Sequence, residues 1–150
     1  MQRPRDPLGR LLPPGSQDER RYGEPERACA SFADGLRKAR ELFDDARFFE
    51  AHEFFEYLWK SKDAAPADRD FWRALAQVAV GYCHLQRGNP RGAVTLLERA
   101  VAGLAPYPTP HHGLDTSALA QSAREALRLL RAGAPPGEIP LPRIGREGKS

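Results

Sequence analysis

Two polar stripes on otherwise apolar helical stretches are where this chain could do chemistry. In LFDDARFFEAHEFFEYLW, Leu42 to Trp59, a helical wheel at about 100° per residue gathers Phe48, Ala51, Phe54, Phe55, Leu58 and Trp59 into one apolar arc. His52 falls at the edge of that arc beside Trp59, and Glu56 lies four residues further on the same side. An imidazole and a carboxylate are thus framed by aromatic rings, whereas Glu50, Glu53 and Lys60 fall on the opposite face and are expected in solvent. In FWRALAQVAVGYCHLQRG, Phe71 to Gly88, most of the circumference is apolar and a narrow stripe of Arg73, Gln77, Gly81 and His84 remains. A buried amide or imidazole without a partner costs about 1–3 kcal/mol. His52 and Glu56 are therefore expected to meet Gln77 and His84 across a helix interface, with Gly81 allowing close approach.

Two imidazoles and a carboxylate are ligand types for zinc or ferrous iron. His52, Glu56 and His84 are accordingly the candidate metal ligands, with Glu53 or Gln77 placed for acid–base work. The competing reading is an interior hydrogen-bond network that fixes helix register, in which case no cofactor is expected. Other chemistries lack their residues. HEFFE, from His52 to Glu56, misses the second histidine of the zinc-protease helix motif, and there is no phosphate-binding glycine loop or nucleophile with an assigned base. His111 and His112 read as an exposed pair in a proline-rich loop that could close over the cluster.

The elements that must position these groups are helices. Val, Ile and Thr together number nine, and Ala, Leu, Arg and Glu dominate. The expected architecture is all-α, a compact bundle of about five helices made of two hairpins and a closing helix. Start and stop signals place them at about Arg27–Asp44, Arg47–Ser61, Pro66–Arg87, Pro90 to Gly103 or Leu104, and from a cap at Asp115 or Thr116 to about Ala132, with Gly88 and Gly133 past helix ends and Asn89 as a cap. Sliding the chain by about 42 residues superimposes Phe43, Ala46, Ala51 and Phe55 on Leu85, Gly88, Ala93 and Leu97, a weak repeat with a tetratricopeptide-like pattern. Prolines and glycines punctuate both ends, so residues 1–26 read as a disordered tail, 27–132 as the bundle and 133–150 as a flexible tail that could dock through Ile139, Leu141 and Ile144.

The chain has 150 residues and a formal net charge of +3, a mixed surface that argues against nucleic acid. Arg37, Lys38, Arg40, Arg47, Lys60 and Lys62 concentrate on the first hairpin but interleave with acids. No apolar run reaches membrane length, and Cys29 and Cys83 form no disulfide framework, which together suggest a cytoplasmic protein.

The order of F, E-A-H-E and E-x-x-W over Leu42 to Trp59 resembles the signature of the domain-of-unknown-function 309 family of small prokaryotic helical proteins. Gln77, Ala79, His84, Arg87, Gly88, Asn89, Gly92, Ala93, Leu96 and Leu97 are similar to that family's second motif. The resemblance implies an all-α bundle and no established activity, and it transfers His52, Glu53, Glu56, Trp59, Gln77 and His84 as a polar cluster of unknown role. It departs at Ala46, where the family commonly has glycine, and at Arg73, where it often has glutamine. The leading functional reading is a non-enzymatic scaffold or protein-interaction module with an unknown protein partner. The alternative is a metal-dependent enzyme, such as a hydrolase, built on the His/Glu cluster between the second and third helices.

Overall fold

The computed structural model describes residues 3–145, and among them the chain forms six α-helices. A single turn, α1 (Pro25–Ala28), precedes α2 (Phe32–Asp44), α3 (Phe48–Lys60), α4 (Arg69–Gln86), α5 (Pro90–Leu104) and α6 (Thr116–Arg131). Each long helix packs on the next, α2 on α3, α3 on α4, α4 on α5 and α5 on α6, which is the expected all-α bundle of two hairpins and a closing helix. Among the described residues no helix is long and apolar enough to cross a membrane.

Local chemistry sets most of the boundaries. The Ser31 hydroxyl accepts from the Asp34 amide, so the first long helix starts there and not at Arg27; Cys29, in extended backbone, separates it from α1. Asn89 caps α5 by accepting from the Gly92 amide, with Pro90 at the first helical position, and Asp115 caps α6 by accepting from the Ala118 amide. Pro66–Asp68 form a 3₁₀ turn that leads into α4. Between α2 and α3 the turn is closed by Ala46 at φ 61°, a conformation in which glycine would be unstrained, and its carbonyl accepts from Gln86 Nε2 at 2.8 Å.

The core is aromatic at its centre. Phe43, Phe48, Phe54, Phe55, Phe71, Trp72 and Tyr82 are fully buried, and Phe43 meets Phe48 edge to face with centroids 5.0 Å apart. Gly81 does allow a close approach, but toward α5: a Cβ there would lie 2.8 Å from Leu97 Cδ2.

The stretch read as an N-terminal tail lies against α3 and α4. Gly9, at φ 81°, sits so close over Phe49 that a Cβ would fall 2.1 Å from the ring, and the Leu8 carbonyl accepts from Arg87 Nε at 2.9 Å. Prolines and glycines exclude helix and strand here without excluding order, because side chains satisfy the irregular backbone: Asp6 Oδ1 accepts from the amides of Leu8 and Arg10. At the other end Ile139 and Ile144 are buried and Leu141 is exposed, so the docked segment uses two of the three apolar residues. Asp44 holds it by accepting from the Ile144 amide at 2.7 Å. The remainder of the stretch read as a flexible tail, 146–150, lies outside the described residues.

Candidate functional site

The six polar residues singled out on α3 and α4 are distributed among separate environments. His52 is half-buried, its ring edge-on to Phe49, and its Nδ1 lies 3.0 Å from the Phe49 carbonyl, so Nδ1 carries the proton and donates. Burial pushes this imidazole below its ordinary pKa, with the Phe49 carbonyl opposing. Glu56 is 41 % exposed and faces Lys60 at 3.7 Å. Trp59 lies beneath the cations of Lys60 and Arg73, 5.7 and 5.5 Å from its ring centre. Gln77 lines a groove between α4 and α5.

His84 turns to the other end of α4. Asn89 uses its side-chain oxygen to cap Gly92, which leaves its amide N–H to donate to His84 Nδ1 at 3.2 Å and places the imidazole proton on Nε2. A Cβ at Gly92 would fall 2.9 Å from that nitrogen, so glycine makes the contact sterically accessible. No hydrogen bond among the described residues joins His52, Glu56, Gln77 and His84, and the ligand set His52, Glu56 and His84 is not assembled.

The acids expected in solvent on α3 are instead covered by residues 18–24. Glu50 is 1 % exposed; its carboxylate accepts the Arg21 amide at 2.7 Å and Arg47 Nε at 2.7 Å. Glu53 faces Arg20 at 3.0 Å, and Arg20 is itself buried and also paired with Asp18 at 2.6 Å. Burial pushes the Glu53 carboxyl up to about 7, against the pull of Arg20. A helical wheel places Glu50 and Glu53 opposite the apolar arc, but the face they occupy is solvated only if residues 18–24 are free, and here those residues cover it.

The convergent site lies elsewhere, between the start of α4 and the loop from α5 to α6. His111 Nε2 donates to Asp68 Oδ1 at 2.9 Å, and His112 Nε2 donates to Asp68 Oδ2 at 2.8 Å. These hydrogen bonds, His111 first, hold the Asp68 carboxyl below the usual carboxylate range, although burial opposes them. Aromatic rings form the wall: His111 packs edge-on to Phe71 with centroids 4.5 Å apart and stacks on Tyr107 at 5.5 Å, while His112 leans on Trp72 at 4.8 Å. Tyr107 Oη donates to the Ala67 carbonyl at 2.9 Å, tying the loop to the turn that carries Asp68. Among the described residues this is the one group of three His, Cys, Asp or Glu side chains whose ligand atoms all lie within 4.8 Å of one another. The signal in the sequence was the adjacent histidine pair; nothing local connects it to an aspartate more than 40 positions earlier.

The fold and these sites can be set beside known proteins. A protein of Aquifex aeolicus (strain VF5), described as an uncharacterized protein, is 23 % identical over 107 residues, covering 69 % of this chain. The chain spans about a third, 31 %, of the length of that curated relative. Residues 36–96, from within α2 into α5, match the family model described as Domain of unknown function (DUF309).

Proposed function

We propose that this chain is a non-enzymatic helical interaction module of the cytoplasm whose α4–α5 groove takes an acidic segment of a partner protein. The observation that carries the reading is the groove's lining. Asp70, Arg73, Gln77, Arg99, Gly103 and Tyr107 bound a volume of about 560 Å³, with two arginines against a single acid. Among the described residues neither arginine has an ion pair within 4 Å, in contrast to Arg20, Arg21 and Arg47. Arg73 lies over the Trp59 ring with its guanidinium carbon 5.5 Å from the centroid. Stacking of that kind orients a guanidinium while leaving its N–H edge free for a carboxylate.

The test is a capture experiment from cell extract with three baits: wild type, the double variant Arg73→Glu/Arg99→Glu, and a control Arg124→Glu on α6. A partner retained by wild type and control, lost with the double variant, and cross-linked through an acidic segment to a photoreactive residue at Ala102 is the expected result. An identical set of proteins on all three baits would overturn the reading. The double variant should itself unfold within about 0.5 kcal/mol of wild type, since exposed charges away from buried partners contribute little.

A further inference from the structure

We propose that Asp68, His111 and His112 form a binding site for one zinc-type divalent ion, held by two imidazole Nε2 atoms and one carboxylate oxygen. The two Nε2 atoms already face the same carboxylate at 2.9 and 2.8 Å, and the three ligand atoms lie within 4.8 Å of one another. Zinc bonds of about 2.0–2.1 Å in a tetrahedron place ligand atoms about 3.3 Å apart. Admitting the ion therefore requires the short Nε2–oxygen contact to open by about half an ångström and any separation nearer the 4.8 Å limit to close toward about 3.3 Å, by rotation of the imidazoles and of the carboxylate, whose two oxygens each face one ring.

The backbone is arranged to bring two consecutive side chains to one point. In extended chain, neighbouring residues point to opposite faces. Here His112 takes φ 51° and Gly113 φ 74°, and the tight loop is closed by reciprocal bonds, His111 N–H to the Leu114 carbonyl at 3.2 Å and Leu114 N–H to the His111 carbonyl at 2.9 Å. A left-handed conformation costs a non-glycine residue about 1 kcal/mol or more. One histidine would suffice to clamp the loop to Asp68, so the second, strained one calls for another explanation.

Asp68 supplies an independent observation. It ends the Pro66–Asp68 turn in helical backbone, so its side chain is not engaged in capping α4 and makes no hydrogen bond to the helix's first amides. Both oxygens are directed at the histidines instead. The side chains of Asp68, His111 and His112 are 18, 20 and 34 % exposed, so the group is walled by Phe71, Trp72 and Tyr107 and open to water on the remaining side, where a fourth ligand would sit. Two nitrogens and one oxygen without thiolate favour zinc and its neighbours over magnesium or calcium, which take mainly oxygen.

The proton balance is simple. Each Nε2 now carries the proton it donates to Asp68; on metal binding that proton leaves Nε2 and a neutral ring carries its proton on Nδ1 instead. No electron is transferred.

The test uses the untagged full chain, stripped with chelator and titrated with zinc against a chromophoric competitor, with cobalt absorption as a second readout. One ion per chain is expected, with visible cobalt bands of a four-coordinate site. Asp68→Asn and His112→Gln should each weaken binding at least tenfold, since even the hydrogen-bonding partners of metal ligands are worth about 10–100-fold. His84→Gln, at the far end of α4, should bind as wild type does. Gln at 112 can still donate to Asp68, so this variant keeps the loop anchored, and helical circular dichroism verifies that each variant is folded. Absence of binding by wild type, or equal binding by wild type, Asp68→Asn and His112→Gln, would overturn the proposal.

Discussion

Two groups of converging polar side chains sit on this bundle, and they differ in how their charges are answered. Beneath residues 18–24, the acids Glu50 and Glu53 are each met by cations, Arg47 and Arg20, and Glu50 also takes the Arg21 amide. Opposite charges and donors are matched there, so the group is architecture that seats the N-terminal segment on α3. At the start of α4, one carboxylate is shared by two imidazoles from a strained loop, and their ligand atoms gather around a common space. Burial alone does not mark a functional site, because the deeper group is the structural one. Convergence of atoms with one kind of coordination chemistry marks the other.

The sharpest break of this comparison is Glu50→Ala. Removing a carboxylate that is 1 % exposed strands the Arg47 guanidinium and the Arg21 amide, and urea unfolding should show a loss of about 3–4 kcal/mol. A loss below about 1 kcal/mol would mean that the N-terminal segment is not seated as described.

Next is the pH response of Glu53. Its folded carboxyl titrates at about 7, above the ordinary 4.5, so the folded chain holds the proton more tightly than the unfolded one. The associated stabilisation is complete below pH 4.5 and disappears as pH rises through 7. Between those limits wild type should lose about 2–3 kcal/mol relative to Glu53→Gln, measured as the difference of two unfolding curves. Parallel pH profiles would show that Arg20 fully offsets the burial.

The smallest effect belongs to the other group. In metal-free protein Asp68→Asn should cost about 1 kcal/mol, because its hydrogen bonds to imidazole are partly solvated and little of the core depends on them. A cost as large as that of Glu50→Ala would turn this group, too, into architecture.

The helices were legible because their determinants are local. Asn89 with Pro90, Gly88 and Asp115 fix helix ends through bonds a few residues long, and the apolar spacing of α3 and α4 identifies their buried faces, whereas the Ser31 cap lies inside the stretch read as helix from Arg27. The sites were legible only as directions. A wheel places His52 and His84 at the edges of two apolar faces, but the contacts that satisfy them come from Phe49 on the same helix and from Asn89 beyond the α4 end. Gly81 promised a close approach and makes one, with Leu97 rather than with α3. The N-terminal segment was the largest gap, because Leu8, Gly9 and Arg20 find their places only against a surface that α3 and α4 have already built.

By itself the sequence determined the all-α class, the family segment and nearly every helix boundary, since capping and helical periodicity act over a few residues. Only the tertiary structure decided which polar groups meet. Asp68 and the histidines at 111 and 112 are brought together by the packing of α4 on α5 and the path of the loop that follows, and that proximity depends on the packing of the whole chain.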